Sequence, residues 1–118
     1  ESDVLLLSIA EQYYKNSQLS AAKAYLHRIS TSTGDDTVRL KSKTLLGQIY
    51  IDEENYDEAE AEYRSMLEIN PNYADAVYGI GIIYEKQGEL VKARSEWRKA
   101  LRLDVNHQGA RLRLTENK

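Results

Sequence analysis

Shifted by 34 positions, the middle of this chain lies on top of its next segment. Leu46-Gly47-x-x-Tyr50 becomes Ile80-Gly81-x-x-Tyr84, Ala59 becomes Ala93, Tyr63 becomes Trp97 and Leu67 becomes Leu101. Self-similarity at a fixed period of this size marks a solenoid, in which each unit buries its apolar face only against its neighbours. That restricts the chain to stacked copies of one supersecondary unit, and it moves the expected function from chemistry toward binding.

The unit itself is helical. Val77, Ile80, Gly81 and Tyr84 share one face at i, i+3, i+4, i+7, the spacing of an amphipathic helix. Gln87-Gly88-Glu89 ends that helix, with Gly88 placed for a C-terminal cap. Leu90, Ala93, Trp97, Ala100 and Leu101 then outline a second helix. The preceding unit repeats the scheme with Leu46, Gly47, Tyr50, Tyr56, Ala59, Tyr63, Met66 and Leu67. It closes at Asn70-Pro71, where Pro cannot continue a helix and restricts the residue before it.

A weaker first unit uses Leu6, Ile9, Ala10, Tyr13, Leu19, Ala22, Leu26 and Ile29, with Ala10 where the later units have Gly. Tyr13 to Tyr50 is 37 residues, three more than the period. The polar stretch Ser30 to Asp36 is expected to absorb the excess as a loop. After the third unit, Asn106-His107-Gln108-Gly109-Ala110 is similar to Asn72-Tyr73-Ala74-Asp75-Ala76. A short capping helix, or the start of a fourth unit, should follow.

These residues resemble the tetratricopeptide repeat family over nearly the whole chain. The resemblance rests on small residues at the crossings (Gly47, Gly81, Ala59, Ala93) and on Tyr50, Tyr84, Tyr63 and Trp97 between neighbouring helices. It implies an all-α fold, a right-handed α-α superhelix (solenoid) of three helix-turn-helix repeats over 3–36, 40–73 and 74–107, with a capping helix over 108–116. Lys43 stands at the family's usual Trp position, Val105 replaces the inter-repeat Pro of the third unit, and the first unit is degenerate.

Arrays of this family bind peptides or partner proteins in a concave groove lined by the first helix of each unit. In that register the groove comprises Leu7, Glu11, Tyr14, Thr44, Leu45, Gln48, Ile51, Asp52, Tyr78, Ile82, Glu85 and Lys86, of which six are large apolar or aromatic residues. Such side chains in a concave site suit anchoring of an extended peptide or a partner helix. Leu45 and Leu7 are expected to pack between first helices, and Tyr14, Tyr78 and Ile82 to be exposed. One branch of the family clamps the acidic C-terminal tails of chaperones with Lys, Asn, Asn, Lys and Arg at five groove positions. Leu7, Glu11, Leu45, Asp75 and Gly79 occupy them here. Glu11 and Asp75 would repel a carboxylate, so the sequence argues against a carboxylate-clamp chaperone adaptor.

Charge is unevenly spread. Residues 52–62 hold seven acids in eleven positions; residues 37–73 carry four basic and eight acidic side chains, a balance of −4, and residues 74–118 nine basic and six acidic, a balance of +3. Solvated outer faces explain this; the sharper alternative is steering of a charged partner or head-to-tail self-association. The net charge of −3 and the lack of aromatics among Arg94, Arg98, Lys99, Arg102, Arg111 and Arg113 argue against nucleic acid.

No catalytic or cofactor constellation is present, and no enzyme activity is expected. The chain has no Cys and only His27 and His107, both read as surface residues, so a metal site lacks ligand spacing. Gly79-x-Gly81 falls inside a helix, where it is a packing feature rather than a phosphate loop. No apolar run approaches the ~20 residues of a membrane span, so direct membrane insertion is not expected. The chain begins Glu1-Ser2-Asp3 without Met or signal peptide, as expected of a processed form or an excised piece. Its compartment is open: the cytoplasm, or a soluble envelope domain of an anchored protein. The leading reading is a non-catalytic interaction module that binds a protein or peptide in its groove as a scaffold or assembly factor. The alternatives are a self-associating homo-oligomeric scaffold, with Leu112 and Leu114 exposed at the end of the stack, and the regulatory domain of a larger enzyme.

Overall fold

The computed structural model describes residues 2–29 and 36–116. Among them the chain forms seven helices and no strand: α1 (Asp3–Lys15), α2 (Leu19–His27), α3 (Asp36–Asp52), α4 (Tyr56–Ile69), α5 (Ala74–Lys86), α6 (Leu90–Leu103) and α7 (Gln108–Glu116). Consecutive helices pair as α1/α2, α3/α4 and α5/α6, and α7 packs on α6. The stack is elongated, 45 × 27 × 22 Å. Its core falls into two clusters. One joins the first pair to the near side of α3 through Leu6, Ala10, Leu26, Leu46 and Ile49. The other runs through Tyr63, Met66, Val77, Ile80, Ile83 and Trp97 to Ala110. Contacts between neighbours alone carry the fold, as a repeat array requires.

The turn inside each pair is built the same way three times. Ser17 (φ 61°), Glu54 (φ 63°) and Gly88 (φ 80°) all take the left-handed conformation. The following backbone N–H then reaches back to a tyrosine carbonyl: Gln18 to Tyr13 (2.9 Å), Asn55 to Tyr50 (2.8 Å) and Glu89 to Tyr84 (2.8 Å). This is the Schellman arrangement, which satisfies carbonyls the helix end leaves orphaned. Only the third turn has the glycine that makes the geometry easy. The turns between units repeat as well: the Asn72 N–H donates to Asn70 Oδ1 (3.1 Å), and the Asn106 N–H to Asp104 Oδ1 (3.0 Å). This local side-chain turn forms with Val105 in the place of Pro71, which is why losing the proline leaves the connection intact.

The predicted loop over Ser30 to Asp36 lies outside the described residues except for its last member. Asp36 is not loop: it opens α3, where its carboxylate suits the positive end of the helix dipole and accepts from Arg39 Nη1 at 2.8 Å. Glycine placement follows the bulk of the second helix. Tyr63 in α4 faces Gly47, and Trp97 in α6 faces Gly81; a Cβ on either glycine would lie 2.8 Å and 2.5 Å from those rings. In the first pair the equivalent second-helix residue is Leu26, and Ala10 is tolerated.

Candidate functional site

The first helices of the second and third pairs, with α7 and the turn before it, enclose a cavity of about 280 Å³ on one face of the stack. From α3 it is lined by Thr44, Gln48 and Ile51, from α5 by Asp75, Tyr78, Gly79 and Ile82, and at its far end by His107 and Arg113. Of the residues projected from the sequence, Thr44, Gln48, Ile51, Tyr78 and Ile82 meet here. Tyr14 and Asp52 extend the same face toward α1: the Tyr14 hydroxyl donates to Asp52 Oδ2 at 2.9 Å. Glu85 joins the cavity wall indirectly, through an ion pair with Arg113. Leu7, Glu11 and Lys86 are not among the lining residues. Leu7 is buried in the first core cluster and Leu45 is half-buried against it.

Ile82, expected to be exposed, is buried, as is Ile51. Both belong to the second core cluster and form floor rather than protruding anchors. Tyr78 is half-buried because its ring tilts against His107, centroids 4.8 Å apart, and lies over Gly109, where a Cβ would be 2.8 Å from the Tyr78 Cζ.

His107 is not a surface histidine. Its side chain is only 9% exposed and bridges two elements. Its Nδ1 accepts the Ala110 N–H at 3.1 Å, capping α7, while Nε2 meets Asp75 Oδ1 at 2.7 Å. An Nδ1 that accepts carries no proton, so the proton sits on Nε2 and is donated to Asp75. His107 thus caps α7 through one nitrogen and fixes Asp75 of α5 through the other.

Of the cavity-lining residues, the groove read from the sequence leaves out Tyr63, Asp75, Gly79, His107 and Arg113; the least expected is Tyr63. It belongs to α4, behind the first helices, yet its ring passes between Gly47 and Gly79 and its end reaches the cavity. The residue is 3% exposed, and its hydroxyl has no hydrogen-bond partner among the described residues. Burial pushes its pKa well above the ordinary tyrosine value, and the charges or dipoles of Tyr14, Asp52, Asp75 and Tyr78 push it further in the same direction. Tyr14 is likewise raised, to about 12, first by burial and then by the bond and the charge of Asp52. For Arg113, partial burial works against the charge, but Tyr78 and Glu85 outweigh it and the guanidinium is held charged. The signal for Tyr63 was present in the sequence as a second glycine, Gly79, for which no packing partner had been assigned.

On the outer side, the α4 and α6 faces carry opposite charges at equivalent places: Glu58 against Lys92, Glu60 against Arg94, Glu68 against Arg102. At the end of the stack Leu112 is 57% exposed, whereas Leu114 packs against the second core cluster rather than standing free. Among the described residues no group of three or more His, Asp or Glu is placed to hold a metal ion, and no helix is long and apolar enough to cross a membrane.

Comparison with known proteins agrees with this geometry. A TPR repeat model matches residues 47–88 and a tetratricopeptide repeat model residues 74–107. The chain is 28% identical over 106 residues to the uncharacterized protein ycf37 of Pyropia yezoensis, covering 89% of this chain and 60% of that one. The curated relatives it matches are longer, and it spans between 8% and 60% of their lengths. Among solved structures, YrrB, described as a TPR protein with an unusual peptide-binding site, superposes with a TM-score of 0.76 at 25% identity, covering 98% of this chain and 58% of YrrB. The first TPR of Spaghetti (RPAP3), bound to the HSP90 peptide SRMEEVD, gives a TM-score of 0.77 at 16% identity, covering 98% and 89%. With three helix pairs, their common turn and the two family matches, the chain belongs to the tetratricopeptide repeat family.

Proposed function

We propose that this domain is a non-catalytic interaction module whose partner is a peptide, or an extended segment of a protein, held in the groove between α3, α5 and α7, and that it serves as a scaffold or assembly factor. The observation that carries this reading is the cavity itself. It combines an apolar floor (Ile51, Ile82), aromatic side chains with polar tips (Tyr63, Tyr78) and a few convergent charged groups, the composition of a recognition site. The peptide-bound and peptide-binding structures that share the fold support the same reading. The groove does not suit the acidic tail bound by the Spaghetti domain. Asp52 and Asp75 would oppose its carboxylates, and Leu7, Glu11, Leu45, Asp75 and Gly79 supply no cation for it.

Site-directed photocrosslinking tests the assignment. Benzoylphenylalanine at Gln48, exposed in the groove wall, should crosslink a bound partner, and the same group at Glu58, on the outer face of α4, should not. Crosslinking from position 58 with none from 48 would move the interface to the outer face. The opposed charges of α4 and α6 favour one alternative, pairing of copies through those faces. Sedimentation equilibrium giving a monomer at all concentrations would remove it.

A further inference from the structure

The groove is acidic where it is not already neutralised. Glu85 is paired with Arg113, but Asp52 and Asp75 are not paired with any Lys or Arg among the described residues. Each receives its hydrogen bond from a neutral donor: Asp52 from the Tyr14 phenol at 2.9 Å, Asp75 from the Nε2–H of His107 at 2.7 Å. Both carboxylates are exposed; Asp75 lines the cavity together with Tyr63, and Asp52 ends α3 just after the lining residue Ile51. That phenol is the second observation. The residue is 97% removed from solvent, yet its hydroxyl has no partner among the described residues and opens into a cavity of about 280 Å³. A phenolic oxygen can accept as well as donate, so it offers a ligand one lone pair at the floor, in the same lining as the Asp75 carboxylate.

We infer that the groove recognises an extended peptide segment bearing a Lys or Arg side chain, whose cationic end lies between Asp75 and the Tyr63 hydroxyl while its stem covers Ile82 and Ile51, with Asp52 adding its negative charge at the other end of the groove. The pieces match in type. A long aliphatic stem suits the apolar floor, a cation satisfies the Asp75 carboxylate, and its N–H donors meet the unpartnered oxygen. Arg113 lines the far end of the cavity, where it pairs with Glu85. The inference rests on the groove being the binding site, and it names the partner's chemistry.

A phage-displayed library of random dodecapeptides, panned against the domain, tests both statements and separates them. Enriched peptides should be richer in Lys and Arg than the unselected library and should crosslink from position 48. Their affinity should fall with added salt. Asp52→Asn/Asp75→Asn, which keeps both hydrogen bonds because the amide oxygen still accepts, should weaken a synthetic copy of such a peptide about tenfold or more. Tyr63→Phe, which removes only the hydroxyl, should weaken it several-fold with an unchanged circular dichroism spectrum. Enriched peptides that crosslink from position 48 but lack Lys and Arg, or that bind the Asp52→Asn/Asp75→Asn variant equally well, overturn the cation and leave the groove standing. No enrichment at all, or crosslinking from position 58 alone, overturns both.

Discussion

The hydroxyl-bearing carbon of Tyr63 lies 2.4 Å from where a Cβ would stand on Gly79, and 2.8 Å from the same point on Gly47. A side chain from the second helix of one unit therefore reaches the groove through a gap made by two glycines, one in its own unit and one in the next. Packing and site are the same contact. Gly79→Ala places a methyl inside the ring's volume, and in a filled core such overpacking costs about 1–3 kcal/mol. The alanine recovers up to about 1 kcal/mol of helix propensity, so a net loss and a melting midpoint lower by several degrees are expected. Thermal melting followed by circular dichroism checks this. An unchanged or raised midpoint would mean that the Tyr63 ring moves aside at no cost.

The three left-handed turn residues make a cleaner prediction, because their side chains touch nothing essential. Glu54 is exposed and holds φ at 63°, a conformation that costs a residue with a Cβ roughly 1–2 kcal/mol. Glycine removes that cost and gives part of it back as unfolded-state entropy. Glu54→Gly should therefore stabilise the domain by about 0.5–1 kcal/mol in urea titration. Gly88→Ala, the reverse change at the equivalent position, should destabilise it by about 1 kcal/mol. Matching signs for the two substitutions would contradict the shared turn geometry.

The raised tyrosines fix a pH dependence. Tyr14 is held at about 12, and Tyr63 is also held above the ordinary value. The folded state therefore keeps protons that the unfolded chain releases near pH 10. Stability from these two groups is complete below about pH 10 and is lost as pH rises through about 12. Urea midpoints should be flat from pH 8 to 9.5 and fall above 10, with a shallower fall in Tyr14→Phe. In absorbance titration at 295 nm, two of the nine tyrosines should ionise late. Asp52→Asn should lower Tyr14 only in part, since burial, its first cause, remains, and should leave Tyr63 high for the same reason. Simultaneous titration of all the tyrosines in the folded domain would refute the placement of both phenols.

Much of this was readable from the sequence, and the gaps have physical causes. The paired helices of the second and third units were legible because Gly47/Gly81, Tyr50/Tyr84 and Tyr63/Trp97 repeat at one spacing, and spacing along a helix decides which residues share a face. The first-helix side of the groove was legible for the same reason, through Thr44, Gln48, Ile51, Tyr78 and Ile82. Four features were not. The left-handed residues of the first two turns are Ser17 and Glu54, and neither advertises a positive φ as Gly88 does. Tyr63 sits on the second helix, so no face assignment sends it into the groove; only its fit against Gly79, across the boundary between units, does so. His107 looks like a turn residue in sequence, and its grip on Asp75 joins positions 32 apart. Contacts of that kind depend on how units stack, which a local pattern does not carry. Asp36 was missed for a simpler reason, since acidic residues serve equally well in loops and in first helical turns.

Bulk on the second helix and absence of bulk on the first should be energetically coupled, and the chain already contains the natural comparison: Leu26 opposite Ala10 in the first pair, Trp97 opposite Gly81 in the third. Trp97 is fully buried, and its Nε1 lies 2.5 Å from where a Gly81 Cβ would stand. Gly81→Ala alone forces the indole to shift, at a cost of about 1–3 kcal/mol. Trp97→Leu alone leaves a void beside Gly81 and should cost at least about 2 kcal/mol. Combined, the alanine methyl moves into space the smaller leucine has vacated, as Ala10 does beside Leu26. The double variant should then be more stable than the sum of the single losses predicts, by about 1–2 kcal/mol, a coupling typical of residues in direct contact. Urea unfolding of the four proteins in the cycle measures it. Simple additivity would mean that the glycine at position 81 answers to something other than the indole, most directly the Ala93 carbonyl oxygen, which a Cβ would meet at 3.2 Å.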